Sequence, residues 1–145
     1  MIEHGITTFL EAGSPHPHEV AKAALETGVR GIVTLSTIDM GNVPESMKMS
    51  TEEAIRRSVE LVETWNGKGN GRIKAWFSLR QMILCSQELY FKFKELARKY
   101  NVGITTHVSE AHIEVEYSLE KFKKRPVERL YEIGCSRFND TFKYI

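Results

Sequence analysis

Cysteine is scarce in this chain: Cys85 and Cys135 are the only two among 145 residues. They lie far apart and form no Cys-x-x-Cys pair, which excludes a disulfide-stapled scaffold and makes a reduced, intracellular setting the simplest expectation. No apolar run approaches the ~20 residues that cross a bilayer, and Met1-Ile2-Glu3-His4-Gly5 lacks the basic start and apolar stretch of a secretory signal. The expectation is a cytoplasmic protein with no membrane contact. Excess charge is missing too, because 20 Lys and Arg residues balance 19 Asp and Glu residues. With the basic residues scattered along helical faces, nucleic-acid binding has no electrostatic support. Gly67, Gly69 and Gly71 precede a strand instead of opening a helix, so a phosphate-cradling loop is absent, as is a serine nucleophile elbow.

What is present is enough apolar material, 41% of residues, for one globular domain with a core. Ile6–Leu10 reads as a first strand, followed by turn formers and a helix from Pro17 to Thr27 that stops at Gly28. Val29 to Ile38 is a second, nearly continuous buried-strand composition, and a loop runs from Met40 to Met49. Ser50 with Glu53 makes a capping box for a helix carrying Ile55, Val59, Val62 and Trp65 on its apolar face. Ile73–Leu79 is a third strand, and Ser86 opens a helix striped with Leu89, Phe93, Leu96, Ala97 and Tyr100. A fourth strand ends at His107. Val115, Leu119 and Phe122 come next at helical spacing, and Pro126 starts a last segment with Val127, Leu130 and Tyr131. Strict alternation of strand and helix predicts an α/β fold with a parallel sheet. Four such units make about half of an eight-stranded barrel, which usually takes ~250 residues.

The chemistry belongs at the C-terminal ends of the strands. Thr106-His107-Val108-Ser109-Glu110 puts an imidazole there and a carboxylate three residues on, a pair able to bind a metal and move protons. The same residues read equally as a half-buried strand-end histidine and a helix-capping glutamate, and His16 with Glu19 repeats the spacing. Arg80 comes directly after the third strand and, in a parallel sheet, stands on the same rim as His107, where it could hold an anionic or carbonyl group or simply be solvated. Asp39 ends the second strand and reads as a loop cap. His16-Pro17-His18 has the spacing of a metal-binding pair on a strand, but its prolines make it a turn entering a helix.

Taken in order, Met1–Phe9, Glu19–Ala23, Gly28–Arg30, Glu95–Tyr100, Thr106–Glu110 and Lys124–Glu128 resemble the metal-dependent amidohydrolase superfamily. The likeness is to the branch of methylthioadenosine/S-adenosylhomocysteine deaminases and triazine or N-ethylammeline chlorohydrolases, over about residues 1–134. The resemblance implies a partial (β/α)8 barrel containing strands two to five, and a zinc or iron cofactor. It implies His107 as a metal ligand, Glu110 as the carboxylate that carries protons to a ring nitrogen, and Arg80 as a substrate-facing residue. The implied reaction is attack of metal-bound hydroxide on a heteroaromatic ring carbon, with departure of ammonia, an amine or chloride.

The family's first His-x-His pair would precede Met1, and its later histidine and aspartate would come after Gly134, where residues 135–145 diverge into a short aromatic tail. Asp140 does not replace that aspartate. The expectation is therefore residues 1–134 as a hydrolase-barrel section, inactive alone because a catalytic metal needs about three protein ligands. The alternatives are a truncated remnant without catalysis and a small-ligand-binding α/β module. Two open sheet edges predict a homo-oligomer.

Overall fold

Each short β-branched or apolar run forms a strand, and each strand pairs in parallel with its successor in sequence. The computed structural model describes residues 1–134, so the divergence over 135–145 lies outside the described residues. The order is β1 (Thr8–Leu10), α1 (Pro17–Thr27), β2 (Arg30–Thr34), α2 (Thr51–Trp65), β3 (Ile73–Leu79), α3 (Gln87–Tyr100), β4 (Ile104–Thr106), α4 (His112–Phe122) and α5 (Pro126–Glu132). The sheet runs β1-β2-β3-β4 and curls into a half-barrel. Its register pairs Phe9 with Gly31, Val33 with Ala75, and Phe77 with Ile104. Regular pairing of β2 ends at Thr34, short of the expected Ile38, because the chain bends there toward Ser14, whose carbonyl accepts the Ser36 N–H at 2.9 Å.

The core lies between the sheet and its helices. Ile73, Ala75, Phe77 and Leu79 alternate along β3 and are all fully buried, with Phe77 stacked at 4.9 Å on Phe93 of α3. Residues of the opposite parity, Trp76, Ser78 and then Arg80, turn to the concave face. Gly103 leaves room there for the Trp76 indole, since a Cβ at that position would stand 2.6 Å from the ring.

The apolar stripe of α3 is as expected, with Leu89, Phe93, Leu96 and Ala97 buried and Tyr100 at the margin. Three other helix faces differ from expectation. Helix α2 buries Ala54, Ser58, Leu61 and Val62, leaving Ile55, Val59 and Trp65 at the margin, because small residues let the helix approach the sheet. Helix α4 buries Glu114 and Ser118 while Leu119 is exposed, and α5 buries Leu130 but exposes Val127 and Tyr131. These last two helices follow the edge strand β4, and among the described residues Ile113, Leu119, Val127 and Tyr131 on them are exposed.

Candidate active-site rim

Strand polarity brings the C-terminal ends of β1 to β4 to one rim, and the backbone ladder continues past the strands to fix the residues just beyond them. Arg80 donates its N–H to the Thr37 carbonyl at 3.3 Å, and His107 donates its N–H to the Arg80 carbonyl at 3.3 Å. Thr106 directs its hydroxyl toward Tyr90 of α3, on the helix side, so alternation turns His107 to the concave side with Arg80. The His107 ring nitrogen Nε2 lies 3.2 Å from the Ala12 carbonyl and 3.4 Å from Arg80 Nη1. One nitrogen cannot both donate to Ala12 and accept from Arg80, so the tautomer decides which contact is a hydrogen bond. Either way β1, β3 and β4 converge on this imidazole.

Glu110 stands further out and is exposed, with its Oε2 accepting from Gln81 Nε2 at 2.5 Å. The structure thus gathers His107, Arg80 and, through Gln81, Glu110 on one rim. Between β1, β2 and β3 the same rim opens into a cleft of about 560 Å³ whose lining includes Gly13, Ser36, Ile38, Met49, Arg57 and Arg80. Apolar walls with a few convergent polar groups suit a small organic ligand.

Asp39 does more than cap a loop. Its Oδ1 accepts the Ser86 N–H at 2.7 Å, and its Oδ2 accepts the Ser86 hydroxyl at 2.5 Å and the Thr51 hydroxyl at 2.9 Å. Thr51 opens α2, and Ser86 caps α3 by accepting the Leu89 N–H. One carboxylate therefore joins the starts of two helices under the rim. Cys85 beside it is buried, and that burial pushes its thiol up to about 12, so it is protonated and inert at neutral pH.

The remaining histidines stay apart from this centre. His16 caps α1 at the cleft wall, whereas His18 lies inside the helix and accepts the Trp65 indole N–H at 2.9 Å. They do not act as a pair. His4 and His112 are exposed. Among the described residues no three His, Cys, Asp or Glu side chains gather as a set that could hold a metal ion. A lone imidazole beside a guanidinium does not fit a metal without further ligands. Two carboxylates near the rim, Glu114 fully buried and Glu11 half-buried, carry a buried oxygen that the sequence does not indicate. Glu11 has an unpartnered Oε2 and Glu114 an unpartnered Oε1, and burial raises both carboxyls above the ordinary carboxylate range. The one sequence sign of Glu114 is its position a helical turn after Glu110.

Residues 1–142 match the amidohydrolase family. A 5-methylthioadenosine/S-adenosylhomocysteine deaminase of Thermoanaerobacter pseudethanolicus is 39% identical over 134 residues, which are 92% of this chain and 30% of that protein. Among solved structures, an adenosine deaminase from Xanthomonas campestris with bound zinc superimposes with a TM-score of 0.82 at 22% identity, over 97% of this chain and 30% of its own. An atrazine chlorohydrolase from Arthrobacter aurescens complexed with zinc gives 0.75 at 18% identity, over 90% of this chain and 32% of its own. The chain spans about a third of the length of each. A curled parallel half-barrel with its polar rim at the strand ends, matched along nearly the whole sequence, places this chain in the amidohydrolase family.

Proposed function

We propose that this chain supplies one section of an amidohydrolase catalytic rim, corresponding to barrel strands two to five, for deamination or dechlorination of a small heteroaromatic ring. The observation that carries this reading is the convergence of His107 and Arg80 on the concave side of one rim, with Glu110 held beside them by Gln81. In this reading His107 is one ligand of a zinc or iron ion, and the other ligands come from outside residues 1–134. Arg80 orients the substrate by donating N–H bonds into the cleft. Glu110 accepts a proton from the attacking water and passes it to a ring nitrogen, so that the ring carbon exchanges its amine or chloride for oxygen. By itself the chain catalyses nothing. The likeness to deaminases of adenosine derivatives supports an aminated purine as the substrate class.

The same reading leaves β1 and β4 as open edges, which proteins rarely expose. Exposed Ile2 and Ile6 lie by the first, and Ile113, Leu119, Val127 and Tyr131 by the second. A second copy fits both, because β1 of one against β4 of the other brings two four-stranded halves to eight parallel strands.

A hybrid tests the catalytic reading. Residues 1–134 replace the matching segment of the Thermoanaerobacter deaminase, and the hybrid is assayed on methylthioadenosine. The expected result is measurable deamination that falls about 100-fold or more on Glu110→Gln. A folded hybrid whose activity is indifferent to Glu110 would overturn the assignment.

A further inference from the structure

The cleft on the rim has walls of two kinds. Ile38, Met47 and Met49 are apolar, His16, Arg57 and Arg80 are basic, and among the described residues no Asp or Glu lines it. Met47 and Met49 come from the connection between β2 and α2. Its base is closed where the Met49 N–H reaches the Ile38 carbonyl at 3.0 Å and the Met40 N–H reaches the Leu84 carbonyl at 3.2 Å. Residues 40–48 are thus a compact surface loop whose ends are close, a form that often carries function. A single helical turn over Glu45–Met47, braced by the Lys48–Glu45 ion pair at 2.9 Å, presents Met47 at the cleft. That flexible apolar side chain is 51% exposed, so it has contact area to give to a ligand. Arg57 faces the cleft from α2. The carboxylate it meets, Glu53 at 4.0 Å, already takes two hydrogen bonds from Arg56 at 2.7 and 2.9 Å, so little of the Arg57 charge is neutralised there.

We propose that Met47, Met49 and Arg57 set the specificity of this cleft: the two thioether side chains cover an apolar substituent of the ligand, and Arg57 with Arg80 turns away a substituent that carries positive charge. This rests on the reading of the rim as a site for an aminated purine, and it names which purines the site accepts. Like charges brought together in a cleft without a carboxylate repel, whereas a methylthio group placed against Met47 only gives up its water.

Methionine-methyl NMR on the 145-residue chain tests this, because its other methionines report on other places. Met1 lines a groove beside α1, and Met40 and Met82 line a small pocket beside α4. Methylthioadenosine is expected to shift the Met47 and Met49 methyls and to leave those of Met1, Met40 and Met82 in place. The analogue with a primary amine in place of the methylthio group, protonated at neutral pH, should need about tenfold or more concentration for the same shift. Arg57→Gln should narrow that ratio about threefold or more, and Met47→Ala should weaken methylthioadenosine about fivefold or more. Still methyls at Met47 and Met49, shifts confined to Met1 or Met82, or equal affinity for the two nucleosides would overturn the proposal. A hybrid enzyme silent on methylthioadenosine, with these shifts intact, would remove the deaminase reading and leave the specificity wall standing. An active hybrid whose KM ignores Met47→Ala would do the reverse.

Discussion

Helices α3 and α4, of 14 and 11 residues, come after neighbouring strands, yet they bury opposite kinds of residue. Helix α3 packs Leu89, Phe93, Leu96 and Ala97 into the core, while α4 buries Glu114 and Ser118 and leaves Ile113 and Leu119 in solvent. The difference comes from place. Helix α3 lies between sheet neighbours and α2, so its inward face is dry on all sides. Helix α4 follows the edge strand, and its buried Glu114 meets the loop after β4, whose Glu110 N–H takes that carboxylate as its acceptor. Ser118 is buried for a different partner, donating its hydroxyl to the Lys124 carbonyl in the connection to α5 at 2.8 Å. One helix builds the core and the other holds the Glu110 backbone at its start.

Truncation tests this contrast most strongly. Phe93→Ala should cost about 3–5 kcal/mol in chemical denaturation, by loss of a buried ring. Leu119→Ala, the apolar position of α4 that periodicity favours, should change stability by less than about 0.5 kcal/mol. Equal losses would mean that α4 is a core helix after all. Asp39→Ala should come next, at about 1–3 kcal/mol, because it strips the Ser86 N–H and two hydroxyls of their acceptor. A loss confined to α2, with α3 unchanged in hydrogen exchange, would contradict the joint role of that carboxylate. Gly103→Ala should cost about 1–3 kcal/mol by pushing against the Trp76 ring.

Glu11 sharpens the comparison through pH. Burial raises its carboxyl in the folded state, so the folded chain binds the proton more tightly than the unfolded chain. Stability from this group is therefore greatest at acid pH and falls as pH rises from the ordinary carboxylate value through the raised one. Glu11→Gln should gain on the wild type across that window in urea titrations followed at several pH values. A gap that stays constant with pH would remove the buried charge as its cause. The edges are tested through association. Val127→Glu with Ile2→Glu should lower the mass measured by light scattering to that of one chain and remove any dependence of the folding midpoint on protein concentration. A wild type that is already a single chain would contradict edge pairing.

Much of the sheet was legible because parallel strands are buried on both faces and read as short, mostly apolar runs; Ile73–Leu79 is found at its expected bounds. Strand polarity alone put Arg80 and His107 on one rim, and the structure brings their side chains to 3.4 Å of each other. The helix faces at the edge were not legible, since periodicity assumes that the buried stripe is apolar and α4 turns its polar residues to the rim loops instead. Gln81 and the two-helix contacts of Asp39 were missed because they depend on loops meeting across the sheet, which residue spacing does not encode.

In the function proposed above, His107 belongs to a metal site that residues 1–134 do not complete, and equilibrium dialysis of the 145-residue chain against zinc tests this directly. Well below one zinc per chain should bind, with His107→Ala indistinguishable from wild type. One tightly bound zinc per chain, lost on His107→Ala, would contradict it.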